Sequence, residues 1–141
     1  MSSDFVPALR FAALTRFYDP VVRLTTRERT VKQALINGAD VAADATILDV
    51  GCGTGTMTVW IKQQFPWARV LGLDLDPAIL GMARDKAAKS GIDVEFIEAN
   101  AADMPLPASS VDCVFSSLFF HHLLPDQKVG VLREIFRVLK D

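Results

Sequence analysis

Cysteine is scarce: the chain holds two, Cys52 and Cys113. Their spacing builds neither a disulfide framework nor a metal-ligand set, which fits reduced thiols in a cytosol and predicts no metal. Neither is expected to act as a nucleophile; each reads as a small buried side chain. No apolar run reaches the ~20 residues that a membrane-spanning helix needs. The start, Met1-Ser2-Ser3-Asp4, lacks a basic flank ahead of an apolar stretch. No secretory leader is therefore expected, and the location is read as cytoplasmic. Basic charge is not in excess either: the net charge is −2 and the pI about 5.6. That argues against nucleic acid as the main partner, because nucleic-acid binding leaves a basic footprint. Internal repeats and low-complexity segments are also missing. What remains suits one globular domain of 141 residues, 50% hydrophobic and 23% charged.

The informative stretch runs from Ile47 to Thr58 and reads Ile-Leu-Asp-Val-Gly-Cys-Gly-Thr-Gly-Thr-Met-Thr. An apolar run carries an acid, a loop with Gly51, Gly53 and Gly55 follows, and helix-compatible sequence comes next. Glycines let the backbone turn sharply and let a ligand approach main-chain atoms without a Cβ in the way. The helix then offers free N–H groups and a positive dipole end, which suits a phosphate or a carboxylate. A nucleoside triphosphate is disfavoured, since no Lys closes the loop as in Gly-x-x-x-x-Gly-Lys-Ser/Thr. A dinucleotide is disfavoured too, because Thr56 stands where Gly-x-Gly-x-x-Gly needs its third glycine.

Elsewhere, apolar runs alternate with helix patterns. Residues 5–17 read as an amphipathic helix and Tyr18-Asp19-Pro20 as a turn. Thr26 is expected to N-cap a helix to about Asn37, with Gly38 as its stop. Strands are expected at Thr46–Val50, Ala68–Leu73, Val94–Glu98 and Val111–Leu118. Helices are expected at Thr56–Gln64, from Pro77 to about Ser90, and at Pro125–Lys140. Asp76-Pro77 supplies an N-cap and a first-turn proline, and Gly91 a C-cap. This order implies right-handed βαβ crossovers and a parallel sheet. Asp74 ends the second strand, about 20 residues beyond the glycines, where an acid takes ribose hydroxyls in open α/β sheets.

The pattern Asp-x-Gly-x-Gly-x-Gly between strand and helix resembles the first motif of class I S-adenosylmethionine (SAM) dependent methyltransferases. The resemblance implies an α/β, Rossmann-like three-layer sandwich. It places the methyl donor at Asp49, Gly51, Gly53, Thr54, Gly55, Asp74 and Leu75. The segment Glu98-Ala-Asn-Ala-Ala-Asp-Met-Pro-Leu-Pro resembles the family's adenine-recognition loop, which assigns Asn100 and Ala101 to the base, with Asp103 as the rival of Asn100. Val111-Asp-Cys-Val-Phe-Ser-Ser117 resembles its fourth-strand motif and puts Ser117 at the ligand end. His121 and His122 follow. Adjacent side chains there are expected to diverge, so one site uses one of them. The pair is expected to wall the site without proton chemistry, the sharper alternative being His121 as a base or substrate-pocket residue, and zinc is not expected. Tyr18 and Asp19 resemble a segment of the ubiquinone/menaquinone-biosynthesis-like branch, whose N-terminal helices close over the donor. Tyr18 is thereby the second catalytic candidate. Residues 1–40 are read as a helical lid and 46–141 as the core.

Family members continue with a fifth strand and an antiparallel pair, which this chain of 141 residues does not reach. The strand at Val111–Leu118 would become an edge. Such an edge is an aggregation liability unless covered. Either the chain is a fragment, or another chain covers that edge, and a homodimer is the expected cover. The expected function is methyl transfer from SAM to a small-molecule acceptor by in-line displacement, with a quinone precursor as one option. The alternative is a SAM-binding module without its own catalysis. A nicotinamide oxidoreductase ranks third because of Thr56.

Overall fold

A computed structural model describes residues 28–117 and 119–141. The expected helix at 5–17, the turn at Tyr18, the Thr26 cap and the residue Leu118 lie outside the described residues. Within them the chain runs α1 (Glu28–Asn37), β1 (Thr46–Val50), α2 (Thr56–Gln64), β2 (Arg69–Asp74), α3 (Pro77–Lys89), β3 (Glu95–Glu98), β4 (Cys113–Phe115) and α4 (Pro125–Val138). A short 3-10 turn at Phe120–His122 precedes α4.

The sheet is parallel, in the order β3-β2-β1-β4. The chain steps outward from β1 to β3 on one side, then returns to pair β4 on the other. The carboxyl ends of β1 and β4 therefore flank the point where strand order reverses, and open α/β sheets bind ligands there.

Alternation along β1 and β2 feeds two cores. Ile47 and Val70 pack with Ile36, Met57, Ile61 and Phe115 on one side of the sheet. Leu48, Val50, Leu71 and Leu73 pack with Met104, Val111, Val131 and Val138 on the other. Helices thus cover both faces, and central parallel strands covered on both faces are apolar throughout. Asp49 breaks that rule, and its reason lies in the site.

The helix boundaries follow from local chemistry. The Asp76 side chain accepts from the Ala78 and Ile79 N–H groups at 2.9 and 3.4 Å, as expected of the N-cap. Gly91 adopts φ +65° after the Ser90 C-cap. On α2 the Phe65 N–H reaches back to Ile61 O at 2.8 Å before Pro66 stops the helix.

β4 is shorter than the expected Val111–Leu118, and its two ends explain why. At the start, the Asp112 carboxylate accepts from the Thr46 N–H at 2.8 Å and from Lys140 Nζ at 3.2 Å. At the end, Ser116 Oγ donates to the Val50 carbonyl at 3.2 Å, and the ladder stops there. The expected bare edge is also partly paired within the chain. Val111 N–H donates to Val138 O, Lys140 N–H donates to Val111 O, both at 2.9 Å, and Val111 bridges Leu139. Val111 is fully buried as a result.

Candidate functional site

The loop after β1 is fastened from below. The N–H groups of Gly51 and Cys52 both donate to Leu73 O, at 2.8 and 3.0 Å. Asp74 fastens it from the side: Oδ2 accepts from Gly53 N–H at 3.0 Å, and Oδ1 from Asp76 N–H at 3.1 Å. A carboxylate offers about four acceptor directions. The two spent on the backbone leave room for a vicinal diol.

The three glycines are all left-handed but face different surroundings. A Cβ on Gly51 (φ +67°) would lie 2.2 Å from Cδ2 of Phe119, so this glycine admits an aromatic ring. A Cβ on Gly55 (φ +80°) would lie 2.9 Å from the Ala83 Cβ, so this one lets α3 approach. A Cβ on Gly53 (φ +56°) would meet nothing within 4 Å. Gly53 is the one whose missing side chain leaves open space beside Asp74, as close approach of a ligand to backbone requires.

Asp49 lies under this loop, 2% exposed. Its Oδ2 accepts from Thr58 Oγ1 at 2.8 Å. Burial pushes its carboxyl up to about 7, against the Thr58 hydrogen bond and the nearby positive charge of Lys32, while the negative charge of Asp74 adds to the rise. Thr54 is buried as well. Cys52 is buried, and desolvation raises its thiol well above the ordinary range, which makes it inert.

The loop after β3 comes alongside because Ala99 N–H donates to Asp74 O at 3.0 Å. Asn100 Oδ1 accepts from Ala102 N–H at 2.9 Å, a local turn that leaves a second acceptor direction. Ala101 is buried, Leu75 is exposed. Asp103 sits in the same turn, its N–H donating to Asn100 O at 2.9 Å. The far side of this loop hangs on α4. Arg137 donates to Met104 O at 3.0 Å and Leu106 O at 2.8 Å, and also to Glu134, whose Oε2 accepts from Met104 N–H at 2.7 Å. The Arg137 hydrogen bond, then the Met104 one, holds the Glu134 carboxyl down to about 2. A depressed acid stabilises fully above its unfolded value and loses that contribution as pH falls through its folded one. The loop should therefore loosen as pH drops from about 4.5 toward 2. Arg137→Ala should loosen it at neutral pH, raising amide exchange over 100–110 by about tenfold. Unchanged exchange in that variant would remove Arg137 from the role.

Past β4, Ser117 Oγ is buried and has no hydrogen-bond partner among the described residues. The Phe119 ring covers Gly51 and meets Phe120 edge-on at 5.7 Å. His121 and His122 are both exposed, with ring centroids 4.1 Å apart. The expectation that adjacent side chains diverge here is corrected: the tight 3-10 turn sets the two imidazoles side by side. Desolvation, then the neighbouring His121, lowers the His122 imidazole. Tyr18 lies outside the described residues. Among the described residues no cluster could hold a metal ion, and no helix is long and apolar enough to cross a membrane.

Asp49 and Asp74 thus stand near the carboxyl ends of β1 and β2, and the glycines, Leu75, Asn100, Ala101 and Ser117 on the segments that follow the strands at one end of one sheet. Sequence reasoning assigned no role to Thr58, Phe119 and Arg137. Each acts through a contact across the fold, and none carries a local motif.

A family model described as a methyltransferase domain matches residues 47–141. A demethylmenaquinone methyltransferase of Thermus thermophilus is 34% identical over 139 residues, covering 99% of this chain and 59% of that protein. The U6 snRNA (guanine-N(2))-methyltransferase THUMPD2 of Mus musculus is 31% identical, covering 96% of this chain and 26% of that protein. The crystal structure of a SAM dependent methyltransferase from Aquifex aeolicus is 25% identical at a TM-score of 0.71, covering 94% of this chain and 69% of that one. The chain thus spans only part of the relatives it matches. With the parallel sheet, the glycine loop and Asp74 in one place, the match settles the family: the chain belongs to the methyltransferase domain family, within the class I group whose methyl donor is SAM.

Proposed function

We propose that this end of the sheet binds SAM and that the chain takes part in methyl transfer to a small-molecule acceptor. The observation that carries the reading is the open face of Gly53 beside the Asp74 carboxylate. The buried Ser117 Oγ, which has no hydrogen-bond partner among the described residues, adds a polar group for a ligand to satisfy. In this reading Asp74 takes the ribose hydroxyls, and Leu75, Asn100 and Ala101 take the adenine. The glycine loop, Thr54 and Ser117 take the amino-acid end, with Asp49 beneath them. SAM, when bound, supplies an activated methyl on a sulfonium. The chain's own work is then to orient donor and acceptor and to exclude water, with no covalent step. His121 is the candidate among the described residues for accepting a proton where the acceptor carries one; Tyr18, outside them, is the other.

A quinone precursor is our first choice of acceptor, supported by the Thermus relative's name. The net charge of −2 supports a small molecule over RNA. Two free thiols support a reducing cytoplasm. A second copy is our choice of neighbour for β4. Val111, just ahead of that edge strand, bridges Leu139 just after α4, and α4 leaves Val129, Leu132 and Phe136 exposed. Light scattering that finds a clean monomer at high concentration would reject the dimer.

The donor reading is tested by calorimetry with S-adenosylhomocysteine, SAM and NAD. The first two should bind and NAD should not. Asp74→Ala should weaken binding by about 10- to 150-fold, the worth of a charge-assisted contact. Asp76→Ala should mainly lose a helix cap, about 1 kcal/mol of stability. The reverse order would show that the wrong acid holds the ribose. Binding without turnover of any quinone precursor would favour the alternative, a SAM-binding module.

A further inference from the structure

The glycine loop is gripped from a third direction. Lys86 Nζ donates to Thr54 Oγ1 at 3.0 Å and to Thr56 Oγ1 at 2.7 Å. These hydroxyls stand on either side of Gly55, and Gly55 lies against Ala83. Ala83 and Lys86 are three residues apart on α3, hence on one face of it. One helix face therefore holds three consecutive residues of the loop, two by hydrogen bonds and one by contact. The same helix begins at Asp76, whose N–H is bound by Asp74. Both ends of α3 are thus fastened to the loop, one through the acid and one through the ammonium.

Lys86 stands in the last turn of α3, where a cation suits that helix's dipole, but this does not direct its ammonium to the two hydroxyls, and the stability of α2 does not explain it either. Thr56 opens α2, which has no side-chain cap and no acid in its first turn. A cation at that end opposes the helix dipole. A hydroxyl paired with an ammonium is, however, well held, because charge-assisted hydrogen bonds are the stronger kind. We propose that Lys86 is a positioning residue for the donor loop: by binding the hydroxyls of Thr54 and Thr56 it fixes the loop in the shape that receives SAM. Lys86 acts from behind the loop, through Thr54 and Thr56. This rests on the donor reading above, and the test separates the two.

Lys86→Met keeps the length and removes the donors; Lys86→Arg keeps the charge and the donors. In the unliganded protein, Lys86→Met should raise amide exchange at residues 53–57 by about tenfold, with the sheet amides unchanged. Affinity for S-adenosylhomocysteine should fall by about tenfold, and Lys86→Arg should recover most of it. Thr56→Val should weaken binding several-fold, and the double variant with Lys86→Met should be no worse than Lys86→Met alone, as residues of one network behave. Additive losses, or unchanged exchange and affinity in Lys86→Met, would overturn the proposal. Raised exchange in a protein whose wild type binds no S-adenosylhomocysteine would keep Lys86 as the loop's anchor and overturn the donor reading instead.

Discussion

Gly51→Ala should lose about 2–5 kcal/mol of stability, while Gly53→Ala should lose only about 1–2 kcal/mol but much donor affinity. Both positions are left-handed, at φ +67° and +56°, which costs a side chain about 1–2 kcal/mol. At Gly51 a second cost adds, because the new Cβ would sit 2.2 Å from Cδ2 and 2.7 Å from Cβ of Phe119. The whole ring must shift, and forced repacking costs about 1–3 kcal/mol. At Gly53 the new Cβ meets nothing, so the strain stands alone. Against a usual total of about 5–15 kcal/mol, the first loss is large. Denaturant midpoints and a titration with S-adenosylhomocysteine decide the matter. Equal midpoints for the two variants would show that Phe119 yields freely. Wild-type affinity in Gly53→Ala would place the donor elsewhere.

Replacing Asp49 with Asn should make the protein more stable at alkaline pH. The carboxyl is buried and its folded value is about 7, against 3.8 for a free group. Between those values the folded state holds a proton that the unfolded state has released. The wild type therefore loses stability through this group as pH rises from about 4 to 7. A tenfold difference in proton affinity between the two states is worth about 1.4 kcal/mol, which puts the full loss on the order of 4 kcal/mol above pH 7. Asn keeps an acceptor for Thr58 and does not ionise. Asp49→Asn and wild type should thus match near pH 4 and diverge toward pH 8. A constant offset across that range would show that Asp49 does not titrate there. A neutral group is the cheaper occupant of this buried position. Asp49 and Asp74 together give the loop two acids, which suits a donor carrying a sulfonium.

Much of this molecule is legible in the chain alone. β1 and α2 have the expected bounds, because each pattern is bounded by its own chemistry: an apolar run stopped by glycine, and a helix stopped by Pro66. Asp76 caps α3 because an Asp-Pro pair has few other uses. The glycine loop and Asp74 are readable as one site, because parallel βαβ units bring strand ends together at a fixed spacing. The length of β4 is not readable. It depends on Asp112 and Ser116 diverting backbone partners, and on residues from Arg137 to Lys140 returning to Ser109, Ser110 and Val111.

The sequence by itself determined the family and the fold class. The fold class follows from periodicity and turn chemistry, and the family from the resemblance of the glycine motif. Only the tertiary structure decided which glycine faces open space and which faces a ring. It also decided that Asp49 is buried against Thr58, and that Lys86 and Arg137 reach back to the two loops. Those facts depend on which side chain arrives from another element, and long polar side chains carry no mark of their destination.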